Sequence, residues 1–207
     1  MQYRRLTILL LLAVPVFPVA TSSLRAQTPP AQESPQYVAR LQNFGTMVAF
    51  LNLASGSVRL VAIIQPTSPT AAATLRAVQS VLDANPSKRL RAYVVWTRLS
   101  TGDTELRALS QANSIRDRRL VHFWDGDAHV AGAFRGVLGA GETPATDVVL
   151  LYDTDARLAL EPPAPSMWMS ANPDLTGTAD ATQLGANANT MVRRVEAKVT
   201  DATPQRP

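Results

Sequence analysis

The stretch from Val58 to Ala84 constrains the fold of this chain most. Val58 to Ile64 is a short apolar run rich in β-branched residues, and its only charge is Arg59. This pattern is typical of a central strand that is covered on both faces. A short polar turn follows, and Pro69 then opens a predicted helix. The apolar face of that helix repeats at helical spacing through Ala72, Leu75, Val78, Val81 and Leu82.

The residues up to Leu160 continue the alternation of strands and helices. Further strands are predicted at Leu90–Trp96 and Leu120–Trp124. Helices are predicted from an Asp103 cap to Ala112 and from Ala128 to Leu138. Asp147–Tyr152 and Ala156–Leu160 flank a turn at Asp153-Thr154-Asp155 and predict an antiparallel hairpin. Residues 58–160 are therefore expected to form one α/β domain with a mixed sheet, in which strand and helix alternate as right-handed crossovers.

The first twenty-six residues have the pattern of a secretory signal peptide. Arg4 and Arg5 precede an apolar run from Leu6 to Ala20, and small residues follow up to Ala26. We place cleavage after Ala26, with Ala20 as the alternative. An uncleaved anchor is the less favoured interpretation, because prolines interrupt a run that is shorter than the about 20 residues a spanning helix needs. The mature chain is expected to be exported, periplasmic or secreted, and free of the membrane.

The segments on either side of the α/β domain are predicted separately. Residues 27–33 are rich in proline and glutamine and indicate a flexible linker. Residues 34–57 predict an N-terminal helix, with Ser34 and Pro35 as N-cap and first helical position and its end near Asn52. Residues 161–207 predict a C-terminal extension with a terminal helix. The apolar cluster Met167-Trp168-Met169 within it is expected to pack, with Trp168 across the sheet edge or a neighbouring helix.

Composition excludes several classes of function. Removal of the signal takes away three arginines, which leaves 17 basic against 16 acidic residues, a net charge of +1. A net charge this close to zero does not indicate the basic surface that nucleic-acid binding requires. The chain contains no cysteine, so its own side chains supply no thiol chemistry and no iron-sulfur ligation. Neither His122 nor His129 has a second ligand at metal-binding spacing, so no metal site and no cofactor are expected.

The order of elements over residues 58–160 resembles the thioredoxin-like superfamily, specifically the branch of exported TlpA-type and peroxiredoxin-like proteins. The resemblance places Ser68-Pro69-Thr70-Ala71 where the family has Cys-Pro-x-Cys. The segment Phe123 to Ala131, which contains Asp125 and His129, is similar to the family's aspartate turn. Thr146 stands where the family usually has a cis-proline, and Pro144 lies two residues earlier. Strings such as VRLVA and DVVLLY are also similar to uncharacterised exported bacterial relatives.

The turn after the first strand of the domain is the main candidate site. It comprises Gln65, Thr67, Ser68, Pro69, Thr70 and Ala71. Ser68 and Pro69 suit an N-cap and a first helical position. A helix start can also bind a phosphate or carboxylate, because its free N–H groups and the helix dipole attract anions. Ser68 would need a neighbouring base to act as a nucleophile, and the sequence shows none.

Three functions remain open on the sequence alone. The resemblance favours an exported, redox-inactive thioredoxin-like protein that binds a protein partner or small ligand at this turn and near Pro144. An enzyme with non-thiol chemistry, using Ser68, Thr70, Asp125 or His129, is the alternative. A purely structural paralogue is the third. A base within reach of Ser68 would favour the enzyme, and an open apolar surface would favour partner binding.

Overall fold

A six-stranded sheet organises the described part of the chain, residues 37–201 of the computed structural model. The predicted signal peptide and linker lie outside these residues. The elements follow in the order β1 (Val38–Arg40), α1 (Phe44–Leu53), β2 (Val58–Ile64), α2 (Ala71–Ala84), β3 (Leu90–Thr97), α3 (Glu105–Ala112), β4 (Leu120–Asp125), α4 (His129–Arg135), β5 (Val148–Tyr152), β6 (Met167–Ser170) and α5 (Ala181–Asp201).

The strands lie in the order β1-β4-β3-β2-β5-β6. The pairs β1 with β4, β4 with β3, and β3 with β2 are parallel, whereas β5 is antiparallel to both β2 and β6. A parallel β2-α2-β3 crossover beside an antiparallel pair that leads into a final helix is the thioredoxin-like arrangement. The predicted fold class, a mixed α/β sheet with an N-terminal and a C-terminal helix, is confirmed.

Strand β2 lies at the centre, and all seven of its residues are buried. Because side chains alternate across a strand, Leu60, Ala62 and Ile64 face one core while Val61 and Ile63 face the other. Helices α2, α3 and α5 cover the first face, and α1 and α4 cover the second. This is the burial on both faces that the apolar run predicted.

Arg59 is the one charged residue of β2, and it is fully buried. Its guanidinium donates to the carbonyl oxygen of Leu51 at the end of α1 (3.3 Å) and to those of Asp153 and Ala156 (both 2.6 Å). Burial lowers the pKa of Arg59 from its ordinary value. The side chain therefore ties the end of α1 to the loop that follows β5.

The N-terminal helix begins later than the sequence predicts. The prediction ran from Ser34 to Asn52, but Val38–Arg40 form β1, which pairs with β4, and the helix starts at Phe44. Asn43 is the N-cap, and its Oδ1 accepts a hydrogen bond from Thr46 N at 2.9 Å. The free edge of β4 takes up these residues as a strand, and this pairing overrides the helical spacing of the apolar residues.

The prediction of the hairpin is wrong in its second strand. Strand β5 is antiparallel to β6 (Met167–Ser170), with Leu150 opposite Trp168, and residues 156–160 form no strand. After Tyr152 the chain leaves the sheet in a turn whose carbonyls of Asp153 and Ala156 accept from Arg59, and β6 pairs with β5 instead of the residues that follow this turn. Leu158 then packs against the second core, and its N–H donates to Asn52 Oδ1 (3.1 Å).

Trp168 lies at the sheet edge, as expected, and is buried in the second core. Outside it, the backbone nitrogens of Thr178 and Ala179 donate to the Trp168 carbonyl at 2.9 and 3.0 Å. Gly177 runs so close to β6 that a Cβ there would lie 2.8 Å from Met169 Cα and Ser170 N. This segment covers the outer edge of the sheet.

Helix α5 confirms the predicted terminal helix and buries Leu184, Ala188 and Val192 in the first core, which α2 also lines. Within residues 37–201, the helices are all too short or too polar to cross a membrane.

Candidate functional site

Four loops meet at the carboxyl end of the parallel strands. They are the turn after β2 (residues 65–70), the loop after β3 (98–104), the turn after β4 (126–128) and the residues just before β5 (144–147). Ile63 pairs with Val148, so antiparallel register carries Thr146 and Asp147 alongside the end of β2 and the start of the 65–70 turn. The sheet therefore joins the two predicted site regions Gln65–Ala71 and Pro144–Thr146.

Helix α2 starts later than predicted, at Ala71, with Thr70 as its N-cap residue. Ser68 is therefore not the N-cap, and Pro69 is not the first helical residue. The Ser68 hydroxyl instead accepts from Thr70 N at 3.2 Å and lies 2.8 Å from Thr70 Oγ1. The two hydroxyls form a small polar pair at the mouth of the helix.

The backbone N–H groups of this turn are already paired. Ser68 N donates to Gln65 O (3.0 Å), Ala71 N to Ser68 O (3.3 Å) and Ala73 N to Thr70 O (3.0 Å). A phosphate or carboxylate at a helix start depends on free N–H groups. At the start of α2 in the described chain, only the Ala72 N–H has no partner, so the predicted anion site has one free backbone donor.

Asp103 supports the turn from beneath and is not the cap of α3, since Thr104 has that role. Its carboxylate accepts hydrogen bonds from Gln65 Nε2 (3.1 Å), Thr67 N (3.0 Å) and Thr67 Oγ1 (2.7 Å). It also accepts from Leu99 N, Ser100 N and the Ser100 hydroxyl. Burial raises the pKa of Asp103, but these bonds outweigh burial and hold that pKa at about 2. Asp103 is a fully satisfied structural anion.

Asp147 differs from Asp103 in its hydrogen bonding and in the direction of its pKa shift. Only 3% of the residue is exposed, yet its Oδ1 has no hydrogen-bond partner among residues 37–201. Burial raises the pKa of its carboxyl, while the Ser68 and Thr70 hydroxyls and the Gln65 backbone N–H lower it in part. The charge of Asp103 raises it further.

The Asp147 backbone is also unusual, with φ at +55°, in the left-handed region that L residues rarely adopt. Its N-terminal neighbour Thr146 is buried, and Thr146 N donates to the carbonyl of exposed Pro144 at 2.9 Å. The peptide bond before Pro144 is trans. A buried carboxylate with a free oxygen on a strained backbone combines two features that cluster at functional sites.

Sequence reasoning missed Asp147 because an aspartate before a strand usually marks a turn. What makes it notable is its position against Ser68 and Thr70, which depends on the antiparallel pairing of β5 with β2. Asp147 had been placed only as the first residue of the predicted strand. No local signal in the sequence separates it from the other aspartates of this pole.

Asp125 and His129 belong to a different structural unit. Asp125 is fully buried and accepts from His129 N (3.1 Å) and Val130 N (2.8 Å), so it caps α4 across the left-handed residue Ala128 (φ +56°). His129 Nδ1 lies 3.8 Å from Asp125 Oδ1 and is half-exposed. This cap explains the aspartate turn without a ligand. Residues 37–201 contain no cluster of three or more histidine or acidic side chains that could hold a metal ion.

An open groove of about 610 Å³ runs from the same turn between α2 and α3. Its floor is partly apolar and its rim is polar, and the residues that line it include Ser68, Pro69, Leu75, Arg76, Gln111 and Ile115. Gln111 Nε2 donates to the Pro66 carbonyl and so fixes the wall of the groove to the turn. Ser68 and Pro69 therefore border open surface.

Comparison with known proteins adds no function. No model of a known protein family matches the chain, and no curated protein does. Among solved structures it is similar to a candidate thioredoxin from Neisseria meningitidis (TM-score 0.44, 14% identity, 70% of this chain and 80% of that one).

A secreted disulfide oxidoreductase from Mycobacterium tuberculosis, homologous to E. coli DsbE, has a TM-score of 0.42 at 13% identity, over 67% of this chain and 85% of that one. A thioredoxin-like protein from Bacteroides vulgatus has a TM-score of 0.40 at 13% identity, over 71% and 77%. The fold follows from the strand order itself, and similarity at this level carries no activity over to the chain.

Proposed function

We propose that this chain is an exported thioredoxin-like protein that works without thiol chemistry and binds a protein partner or small ligand. The binding site comprises the turn Gln65–Ala71 and the adjoining Thr146 and Asp147. Export rests on the charged and apolar pattern of residues 1–26. The absence of thiol chemistry rests on a sequence without cysteine.

The observation that supports binding is the unpaired Oδ1 of Asp147. A buried carboxylate oxygen without a donor lowers the stability of the fold, and positive φ at a residue other than glycine adds to that cost. Neighbouring Asp103 shows that the same pole can satisfy a carboxylate completely. An acceptor left free beside two hydroxyls is a natural contact for a ligand.

Retention of a ligand tests this proposal. The tagged wild-type chain is purified from the exporting organism beside a Ser68→Ala/Thr70→Val double variant, which removes both hydroxyls of the turn. We expect the species retained by the wild type to be depleted from this variant. Ser80→Ala/Thr190→Val is the matched control, because it removes one hydroxyl of each kind at exposed positions on α2 and α5. Equal retention by all three proteins would contradict the proposal.

Asp147 also supports a second candidate, an enzyme with Ser68 as its nucleophile. Burial raises the pKa of Asp147, as general bases require, and the Ser68 hydroxyl is one of the groups that lower it in part. Against this, the Ser68 oxygen already accepts from Thr70 N, and Thr70 Oγ1 is its nearest hydroxyl partner.

A fluorophosphonate probe, which labels activated serines, separates the two candidates. We expect no labelling of the wild type beyond that of Ser68→Ala. Labelling at Ser68 that disappears in Asp147→Asn would contradict the binding proposal and support the enzyme.

A further inference from the structure

The proposed binding function leaves open which chemical group the site accepts, and the charges around it limit the choice. A helix start on its own attracts anions. At the start of α2, however, the backbone N–H groups of Thr70, Ala71 and Ala73 already have partners within the turn. The carboxyl of Asp147 and that of Asp103 flank the same turn. An anion would meet negative charge here, and among these helix-start groups of the described chain only the Ala72 N–H is left without a partner to compensate it.

The hydrogen atoms of the turn can be counted. Ser68 and Thr70 each carry one hydroxyl proton, and one of these two is used in the 2.8 Å contact between their oxygens. At most one hydroxyl proton and the Gln65 backbone N–H are left to point at Asp147, whose carboxylate can accept about four hydrogen bonds. This count agrees with the free Oδ1. The site therefore offers fewer hydrogen-bond donors than the Asp147 carboxylate can accept.

We propose that the site binds a ligand through a protonated primary amine. An ammonium group carries three donors and a positive charge. One donor supplies Asp147 Oδ1, and a second can reach a free lone pair on a hydroxyl of the Ser68 and Thr70 pair. The positive charge offsets the carboxylate that the fold buries. This inference rests on the proposed binding function and names the class of its ligand.

The shape of the site favours an ammonium over a guanidinium. Arginine-like groups bind carboxylates best as a planar fork across both oxygens. Asp147 is only 3% exposed, and its Oδ1 is buried without a partner among the described residues. A compact donor at the end of a slender alkyl chain matches such an acceptor better than a wide plane.

The test titrates the full chain with n-butylammonium chloride and, separately, with sodium butyrate and sodium phosphate, at constant ionic strength set by sodium chloride. Backbone amide shifts of the non-proline residues within 65–71 and of Thr146 and Asp147 are followed by NMR. We expect saturable shifts with butylammonium and none with the anions. Asp147→Asn should weaken the butylammonium Kd by about tenfold or more, since it removes a charge-assisted hydrogen bond.

Asp127→Asn is the matched control, because Asp127 is an exposed aspartate at the same pole, and its Kd should equal that of the wild type. Thr70→Val, which keeps the carboxyl, should weaken binding more mildly and serves if Asp147→Asn does not fold. Butyrate or phosphate shifts that Asp147→Asn leaves unchanged would overturn the amine but keep a binding site at the turn. The absence of shifts with all three compounds would also overturn the proposal of an amine ligand. The retention experiment would then decide separately whether the turn binds a ligand.

Discussion

Asp103 accepts two hydrogen bonds from Thr67, one from its backbone nitrogen at 3.0 Å and one from its hydroxyl at 2.7 Å. The pair fixes the turn after β2 to the loop after β3. Because these bonds stabilise the ionised carboxylate more than the neutral acid, the stability of the site region depends on pH.

Stability should fall at low pH through Asp103. Its folded pKa of about 2 lies below the ordinary value of 3.8, so the stabilisation is complete above about pH 4 and is lost as pH falls towards 2. The loss amounts to about 2 kcal/mol. Urea unfolding between pH 5 and 2 measures it. Asp103→Asn should remove most of the dependence of stability on pH in this range, whereas Asp174→Asn, at an exposed position, should leave that dependence unchanged.

His122 should lower the stability of the protein over a separate pH range that lies above that of Asp103. It is buried, its Nδ1 accepts from Trp96 Nε1 at 3.2 Å, and burial lowers its pKa from 6.5 to about 4. Between these values the unfolded chain takes up a proton that the folded chain refuses. Stability should therefore fall by about 3 kcal/mol as pH drops from 6.5 to 4.

Chemical unfolding at half-unit steps across that window, with His122→Gln beside the half-exposed control His129→Gln, checks this expectation. An identical slope for His122→Gln and the wild type would show that His122 does not carry the effect.

Asp147→Asn should stabilise the protein at neutral pH. The folded pKa of Asp147 is raised, so the wild type loses stability as pH rises from the unfolded value through the folded one. Asparagine removes the buried charge and tolerates positive φ. We expect a gain of about 0.5 to 2 kcal/mol, the range typical of relieved functional sites. Thermal unfolding at pH 7 beside Asp127→Asn measures it, and a lower Tm for Asp147→Asn would contradict the interpretation.

Arg59→Leu should destabilise strongly. The change removes the guanidinium donors to the carbonyls of Leu51, Asp153 and Ala156, and within residues 37–201 only Asp153 keeps a second bond, from Ala156 N at 3.3 Å. We expect a loss of about 3 to 5 kcal/mol in urea unfolding. Arg91→Leu is the control, since Arg91 is the exposed partner of Arg59 on β3. Comparable losses in both variants would mean that charge, and not the three carbonyl bonds, is responsible.

Gly177→Ala should open the edge of the sheet. The new Cβ would lie 2.8 Å from backbone atoms of Met169 and Ser170, which side-chain motion cannot relieve. A loss of about 1 to 3 kcal/mol is expected. Gly132→Ala, at a helical position with no heavy atom within 4 Å, should be neutral or slightly stabilising. Hydrogen exchange at Trp168 and Thr178 would locate the change, and slow exchange there in Gly177→Ala would count against it.

The sequence was sufficient for elements whose burial is local in origin. Strand β2 and helix α2 follow from an apolar run and an apolar helical face, and both are present. The sequence was not sufficient for strands that form only because they pair with a neighbouring strand. Val38–Arg40 and Met167–Ser170 become strands because they complete the edges beside β4 and β5. Their own spacing predicted a helix in one case and an isolated packed cluster in the other.

The candidate site divides in the same way. The turn at Ser68 and Thr70 could be placed from its position between a strand and a helix. Asp147 could not, because its importance comes from burial, from a free oxygen and from neighbours on another part of the chain. Asp103, interpreted as a helix cap, proved to hold the turn instead.

The antiparallel pairing of β5 with β2 means that the chain must close a long loop before Asp147 reaches the hydroxyls of Ser68 and Thr70. Such non-local closure costs entropy and comes late in folding. Under the proposed function, an unfolded chain carries the two halves of the site apart, so binding follows the closure of this loop.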